Sequence, residues 1–375
     1  MTIPFVDKFA EKKVRALLAE AGIQVITGSA SHSFDMRVHD RRLFREIFFH
    51  GSLGAGETYM KRWWDADDIS ELAYRLIIAG GEKEFKPLYE PLATLAGRAF
   101  NLQGFNRARQ VIEKHYDLPP GLYDAMLDPY LQYTCAVWDE GVTTLAGAQE
   151  LKLKRICRKL DLTASDTLLD IGCGWGGFAK WAAREHACKV VGVTLSGIQA
   201  KFAQKFCVGL PVEIRTCDYR AMPFPDGSFT KAASMGMVEH VGPKNYRTYL
   251  AAVHRLLKPG GRFLLHTISG DIPRSTSDPF MRKYIFPNSI APTVDQLLRA
   301  AHGLFAWNNI ENIGHHYHRT TVAWKENLLK AWPDLVSRGA AREDILRMFL
   351  FYLGIAGANF RARGNDVVQI EFTRL

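Results

Sequence analysis

Beyond His115 the chain alternates between short apolar runs and stretches in which apolar residues recur every three or four positions. The runs "TLLDIG", "KVVGVTLS", "VEIRTCD", "FTKAASMGM" and "GRFLLHTIS" each predict a buried strand. Between them, "GFAKWAAREH" and "NYRTYLAAVHRLLK" carry helical periodicity. A strand near "FAWNNIENIG", two helices and the terminal "DVVQIEFTRL" complete the set, with the last strand antiparallel. This alternation predicts an α/β fold, a doubly wound and mostly parallel Rossmann-like sheet.

Up to about Arg109 the pattern is mixed. An opening helix places Phe5, Phe9, Val14, Leu17 and Leu18 near one face, and "SFDMRVHD" alternates as a short strand does. "GSLGAGETYM" predicts a glycine-rich turn ahead of a helix that starts around Asp65 to Asp68. No nucleotide fingerprint falls here, so residues 1–110 are expected to form a smaller accessory domain and residues 111–375 the ligand-binding one.

Composition changes this picture mainly through charge. Lys and Arg total 48 against 39 Asp and Glu, a formal charge of +9 that favours anionic partners. The basic residues are interleaved with acids and no zinc-finger or RNA-binding signature occurs, so no nucleic-acid partner is expected. The start "MTIPFVDKFAEKK" lacks a basic-then-apolar leader, and the apolar stretch Met348 to Ala358 falls short of the roughly 20 residues a spanning helix needs. A cytoplasmic chain is expected. Six cysteines lie scattered with no C-x-x-C pair, which suggests reduced thiols rather than disulfides or a zinc site.

The densest chemistry lies in "LLDIGCGWGGFAKW". Gly172, Gly174 and Gly177 spell G-x-G-x-x-G, so a dinucleotide site has to be weighed. Two features oppose it: the loop comes midway along the chain, and the second strand ends in Thr194-Leu195-Ser196 instead of an acid. Asp218 then closes a third strand, and "LLKPGGRFLLH" gives a Pro-Gly-Gly turn into a fifth. That succession is the layout of an S-adenosylmethionine methyltransferase. Bare backbone at Gly172, Cys173 and Gly174 allows close approach of the cofactor, Asp170 can organise the loop or meet the cofactor's ammonium, and Asp218 with Tyr219 suits the adenine.

Taken together, "LLDIGCGWGGFA", "VVGVTLS", "MVEHVGPKNYRTY", "FLLHTIS", "KYIFPN", "EKHYDL" and "YLQYTCAVW" resemble the cyclopropane-fatty-acyl-phospholipid synthases. The likeness extends over nearly the whole chain, including "GSLGAGETYM" and the following Trp63-Trp64. The resemblance implies a class I methyltransferase fold whose enzyme adds a methylene from S-adenosylmethionine across the cis double bond of a phospholipid acyl chain. It implies cofactor contacts at Tyr133 and Thr134, ribose-side contacts at Thr194, Leu195 and Gln199, and an adenine region at Tyr219 and Arg220. Cys135, Glu239, His266, the backbone of Ile268 and Tyr317 match positions that hold a bicarbonate ion, the general base. A homodimer is implied too.

An isolated alkene is a weak nucleophile, so its attack on a sulfonium methyl calls for close, dry alignment and leaves a carbocation. A bound anion supplies both charge stabilisation and a proton acceptor in an apolar pocket. Taken singly, Cys135 also reads as a small buried filler, Glu239 as a helix cap and His266 as a core histidine. Only the joint pattern raises them. The alternative activity is methylation that gives a branched lipid or a methylated small molecule. His315, His316 and His318 invite a metal reading, but neighbours in an extended segment face opposite ways and no carboxylate is evident, so no metal is expected.

The sequence departs from the family in "FYLGIAGANFRAR", where family members often carry a cysteine and this chain has Ile355, Ala356 and Gly357. A covalent cysteine mechanism there is excluded. "SGDIPRSTSDP" and "IGHHYHR" also differ. The lipid substrate implies peripheral, transient contact with the inner face of the membrane. Candidate contacts are Trp63 and Trp64 as exposed apolar groups and the basic segment "GRAFNLQGFNRARQ".

Overall fold

The computed structural model describes residues 4–81, 121–139, 141–339 and 342–375. The expected domain boundary near residue 110 and the basic segment 97–110 lie outside the described residues.

Helix α1 (Pro4–Glu20) buries Ala10, Val14, Leu17 and Leu18. Phe5 and Phe9, expected on that face, are 78% and 46% exposed, because the packed stripe begins at Ala10 and Phe9 reaches only the edge of Phe48. Strands β1 (Val25–Ile26), β2 (Met36–Val38) and β3 (Trp64–Asp65) form a small sheet in the order β1-β2-β3. Between β2 and β3 lie α2 (Leu43–His50) and α3 (Ser52–Met60). The expected glycine-rich turn is therefore a helix, and its glycines serve close approach. A Cβ at Gly54 would lie 2.0 Å from the Glu46 carbonyl oxygen, and one at Gly56 would lie 2.3 Å from the Phe280 ring. Helix α4 (Ile69–Ile78) starts where its acids predict, with the Asp68 side chain accepting from the Glu71 N–H at 3.0 Å.

Trp64 is not a surface anchor. It is 1% exposed, and its Nε1 donates to the Ala55 carbonyl at 3.0 Å. Trp63 is half-buried beneath the guanidinium of Arg42.

After the short α5 (Leu122–Met126) come α6 (Leu145–Leu160), β4 (Thr167–Ile171), α7 (Gly177–His186), β5 (Lys189–Thr194), α8 (Gly197–Phe206) and β6 (Val212–Thr216). Then follow β7 (Phe229–Met235), α9 (Tyr246–Leu256), β8 (Leu257–Ser269), α10 (Val294–Ala301), β9 (Phe305–Asn312), α11 (Tyr317–Ser337), α12 (Glu343–Arg361) and β10 (Asp366–Arg374). The seven strands order as β6-β5-β4-β7-β8-β10-β9. Neighbours from β6 to β8 are parallel, and β10 is antiparallel to both β8 and β9, as the pattern predicts. The Pro259-Gly260-Gly261 segment is an irregularity at the start of β8, where the register against β7 shifts between Phe229 and Lys231.

The chain runs outward from β4 through β5 to β6, then returns to place β7 on β4's other side. The carboxyl ends of β4 and β7 therefore flank the switch point at which such sheets bind ligands.

One apolar core cluster joins the first eighty residues to the rest: Val14, Phe44, Trp64 and Leu72 belong with Phe280, Trp324, Phe351 and Tyr352. Glycine again sets the distance, since a Cβ at Gly354 in α12 would lie 2.7 Å from Ile69. Polar links border this contact. The Arg347 guanidinium meets Asp65 at 2.6 Å and lies 3.7 Å above the Tyr59 ring, and Arg361 meets Glu71 at 2.6 Å. Among the described residues, no helix is long and apolar enough to cross a membrane.

Candidate active site

A cavity of about 1060 Å3 opens over the carboxyl ends of β4 to β8. The glycine loop after β4 forms one wall. Gly172 and Gly174 hold φ of +79° and +53°, and a Cβ at Gly172 would collide with Met237 at 2.8 Å. Gly177 has a different purpose: a Cβ there would lie 1.7 Å from the Tyr130 carbonyl oxygen, so it lets α7 seat against the segment carrying Tyr133. The third glycine of the motif thus works in packing.

Asp170, at the end of β4, is 1% exposed and its Oδ2 is buried without a hydrogen-bond partner. Burial alone pushes its carboxyl up to about 7. An acid left in that state is suited to a ligand cation. At the end of β5, the Thr194 hydroxyl donates to Gln199 Oε1 at 2.9 Å and accepts from the Ser196 N–H, while the Ser196 hydroxyl caps α8. Leu195 lines the same wall. After β6, both carboxylate oxygens of Asp218 are engaged by Arg220, at 2.8 and 2.7 Å. Asp218 therefore orients Arg220, and it is Tyr219 and Arg220 that line the cavity. These features fit the expected cofactor: an orphaned acid for an ammonium, a cradle that side chains would fill, and an aromatic wall.

Deeper in, the polar groups are few and buried. Glu239 follows β7, and its Oε1 accepts from the Ile268 N–H at 2.8 Å while Oε2 has no partner. Burial pushes this carboxyl upward, against the pull of its backbone hydrogen bonds. His266 in β8 is 2% exposed, and burial pulls it down to about 3, helped by the charges of Lys152 and Lys159. It is a neutral imidazole at any physiological pH. Cys135 is 1% exposed and its thiol, raised by burial, sits 3.7 Å from the Ile313 carbonyl oxygen. Tyr317, at the start of α11, packs on Phe360 with ring centroids 4.3 Å apart. Tyr133, raised by enclosure, shares a hydrogen bond with Tyr352 of α12.

Every expected cofactor contact and anion-site residue except Asp218 lines this one cavity. Ile355 and Ala356, the residues that stand in the segment without a cysteine, line it too. Sequence reasoning missed Tyr123, Trp175, Met237 and Tyr352, which are also in its wall. Aromatic and apolar residues, whether in helices as Tyr123 and Tyr352 are or in loops, carry no spacing signal that separates a pocket wall from core.

His315 and His316 sit in a tight 3-10 turn, not an extended segment, with rings 3.8 Å apart, and ligand atoms of Asp139, His315 and His316 lie within 4.8 Å of one another. Asp139 is already paired with Arg155 at 3.0 Å, and His316 Nδ1 accepts from the Trp138 N–H at 3.4 Å. The cluster is a network of internal partners.

Comparison with known proteins agrees with the fold. Residues 104–370 match the family model described as mycolic acid cyclopropane synthetase. The chain is 43% identical over 359 residues to the cyclopropane-fatty-acyl-phospholipid synthase of Escherichia coli (strain K12), covering 96% of this chain and 92% of that protein. It is 29% identical over 353 residues to the tuberculostearic acid methyltransferase UfaA1 of Mycobacterium tuberculosis, covering 88% and 81%. Among solved structures, the cyclopropane synthase MmaA2 from Mycobacterium tuberculosis superposes with a TM-score of 0.64 at 28% identity, over 71% of this chain and 98% of that one. The mycolic acid cyclopropane synthase CmaA1, complexed with SAH and CTAB, gives 0.64 at 27% identity over the same shares. The fold is that of the class I methyltransferases, and the chain belongs to the cyclopropane synthase family of S-adenosylmethionine-dependent enzymes.

Proposed function

We propose that this enzyme transfers a methylene from S-adenosylmethionine to the cis double bond of an unsaturated phospholipid acyl chain, with bound bicarbonate as the general base. The observation that carries the reading is the gathering of Glu239, His266, Cys135 and Tyr317, each under a tenth exposed, on the cavity that also holds the glycine loop. Its support among relatives is the Escherichia coli synthase of that name.

When bound, S-adenosylmethionine supplies an electrophilic methyl group and bicarbonate a proton acceptor for the cation formed on the acyl chain. The protein's part is placement. Asp170 receives the cofactor's ammonium, Thr194 and Gln199 its ribose side, and Tyr219 and Arg220 its adenine. Glu239 and His266 would hold the anion, and His266, a neutral imidazole, offers it an N–H without carrying charge of its own into an apolar site. The Ile268 N–H holds Glu239 in place. Aromatic walls from Tyr133, Phe286 and Tyr352 keep water from a cation that would otherwise be captured as an alcohol. Peripheral contact of the +9 chain with anionic lipid at the inner membrane face, and a homodimer, complete this reading.

The test is direct. Purified protein, S-adenosylmethionine and vesicles of unsaturated phospholipid are incubated with and without added bicarbonate in carbonate-depleted buffer. The expected product is heavier by one CH2 and has lost its alkene proton signals, and its formation rises with bicarbonate. A product that keeps the alkene, or none, sinks the ring-forming assignment and points to ordinary methylation.

A further inference from the structure

Beneath the segment that carries Tyr133, Thr134 and Cys135 lies a charged side chain that the proposed chemistry leaves unused. The buried face of α6 reads Leu145, Ala148, Gln149, Lys152, Leu153, Ile156, Cys157 and Leu160, apolar but for two positions. Lys152 is 0% exposed. Its Nζ donates to Gln132 Oε1 and to Thr134 Oγ1, each at 2.9 Å. The ammonium therefore grips the residues on either side of Tyr133 and stands next to Cys135.

A tie for this loop does not call for charge. Gln149, one turn earlier, already donates its amide to the backbone carbonyls of Gln132 and Thr134, at 3.3 and 2.9 Å. Asp128 holds the loop from the other end, accepting from the N–H groups of Tyr130 and Gln132 at 2.8 Å each. Burying an ammonium is costly unless its charge is used. Both groups nearest the proposed anion feel it, since Lys152 opposes protonation of His266 and favours the anionic side of Cys135.

We propose that Lys152 is a positioning residue whose fixed ammonium, held behind Thr134 and Cys135, supplies the positive potential that draws and retains an inorganic anion at Cys135, Glu239 and His266. The inference rests on the bicarbonate reading above. Titratable groups face Lys152 from three sides: Asp128 from the turn before the loop, Cys135 from the loop itself and His266 from β8, with Lys159 also acting on His266. Burial pulls Lys152 down to about 8, with Asp128 opposing, so the cation is present at neutral pH and is lost above that value.

The experiment measures the half-saturating bicarbonate concentration for turnover in carbonate-depleted buffer, at several pH values, for the wild type, Lys152→Met and Lys152→Arg. For the wild type it is expected to rise about tenfold between pH 7 and pH 9 as the ammonium is lost. Lys152→Met is expected to raise it about tenfold or more at pH 7 and to flatten its pH dependence, with S-adenosylmethionine affinity held within about threefold; Lys152→Arg restores part of the loss. A Met variant with wild-type bicarbonate dependence overturns the inference, and so does a wild-type value that is flat from pH 7 to pH 9, a result that decides even if the variant fails to fold. A wild type indifferent to bicarbonate is a separate outcome: it removes the base itself, and Lys152's role with it.

Discussion

The side-chain amide of Gln369 donates to Nδ1 of His266 at 3.1 Å, across the paired strands β10 and β8. Lys159 Nζ in turn donates to Gln369 Oε1 at 2.7 Å, which leaves the amide nitrogen facing the histidine. An accepting Nδ1 puts the imidazole proton on Nε2, so the tautomer is set from the neighbouring strand β10. Replacing Gln369 with Leu frees that choice. Turnover is expected to fall about ten- to a hundredfold, the loss typical when a histidine's orienting partner is removed. Steady-state kinetics should show the drop in kcat while S-adenosylmethionine affinity, measured by calorimetry, is unchanged.

Glu239 offers a sharper test of the anion pocket. Glu239→Leu removes both the acceptor for the Ile268 N–H and the oxygen left without a partner. Turnover should fall by about a hundredfold or more, as when a preorganised polar group at a developing charge is lost. Cofactor binding should stay within a factor of two or so, because Glu239 is not among the expected cofactor contacts. Equal losses in both would place the residue at the cofactor instead.

Asp170 predicts a pH effect on the cofactor. Its folded-state value lies near 7, above that of an ordinary carboxyl, because burial opposes the ionised form. A ligand ammonium prefers the carboxylate, so affinity is present above that value and is lost as pH falls through it. S-adenosylmethionine should bind about tenfold more weakly at pH 6 than at pH 8. Asp170→Asn should bind weakly at both. Calorimetry across that range checks the slope, and a flat wild-type profile rules out this pairing.

Gly56 tests how the leading elements sit on α12. A Cβ there would lie 2.3 Å from the Phe280 ring and 2.9 Å from Phe351. Gly56→Ala should cost about 1–3 kcal/mol, the usual range for an overpacked core. Thermal unfolding measures it; an unchanged midpoint would mean that the contact is loose.

Much of the sheet was legible because buried parallel strands are written as unbroken apolar runs, and "TLLDIG" and "KVVGVTLS" have few other readings. The leading region was harder. "GSLGAGETYM" reads as a turn because glycine favours turns locally, yet Gly54 and Gly56 are helical and answer to Glu46 and Phe280, neighbours that local sequence does not reveal. Trp64 reads as a surface group for the same reason: its position between acids and basics hides the 5.0 Å approach to the Tyr59 ring. In the site, residues at strand ends could be found from order along the chain. Gln369 could not, since it reaches His266 only through an antiparallel strand that arrives a hundred residues later. Lys152 did leave a trace, a cation at helical spacing within the apolar stripe of α6.

The glycine-tight joint between α3, α4 and α12 has a practical outcome for anyone who would trim this enzyme. An excised chain starting at Gly121 would turn Phe351, Gly354 and Phe280 out to solvent and strand the guanidiniums of Arg347 and Arg361 without their carboxylates. Such a fragment would aggregate, and its failure to turn over lipid would say nothing about which half holds the chemistry.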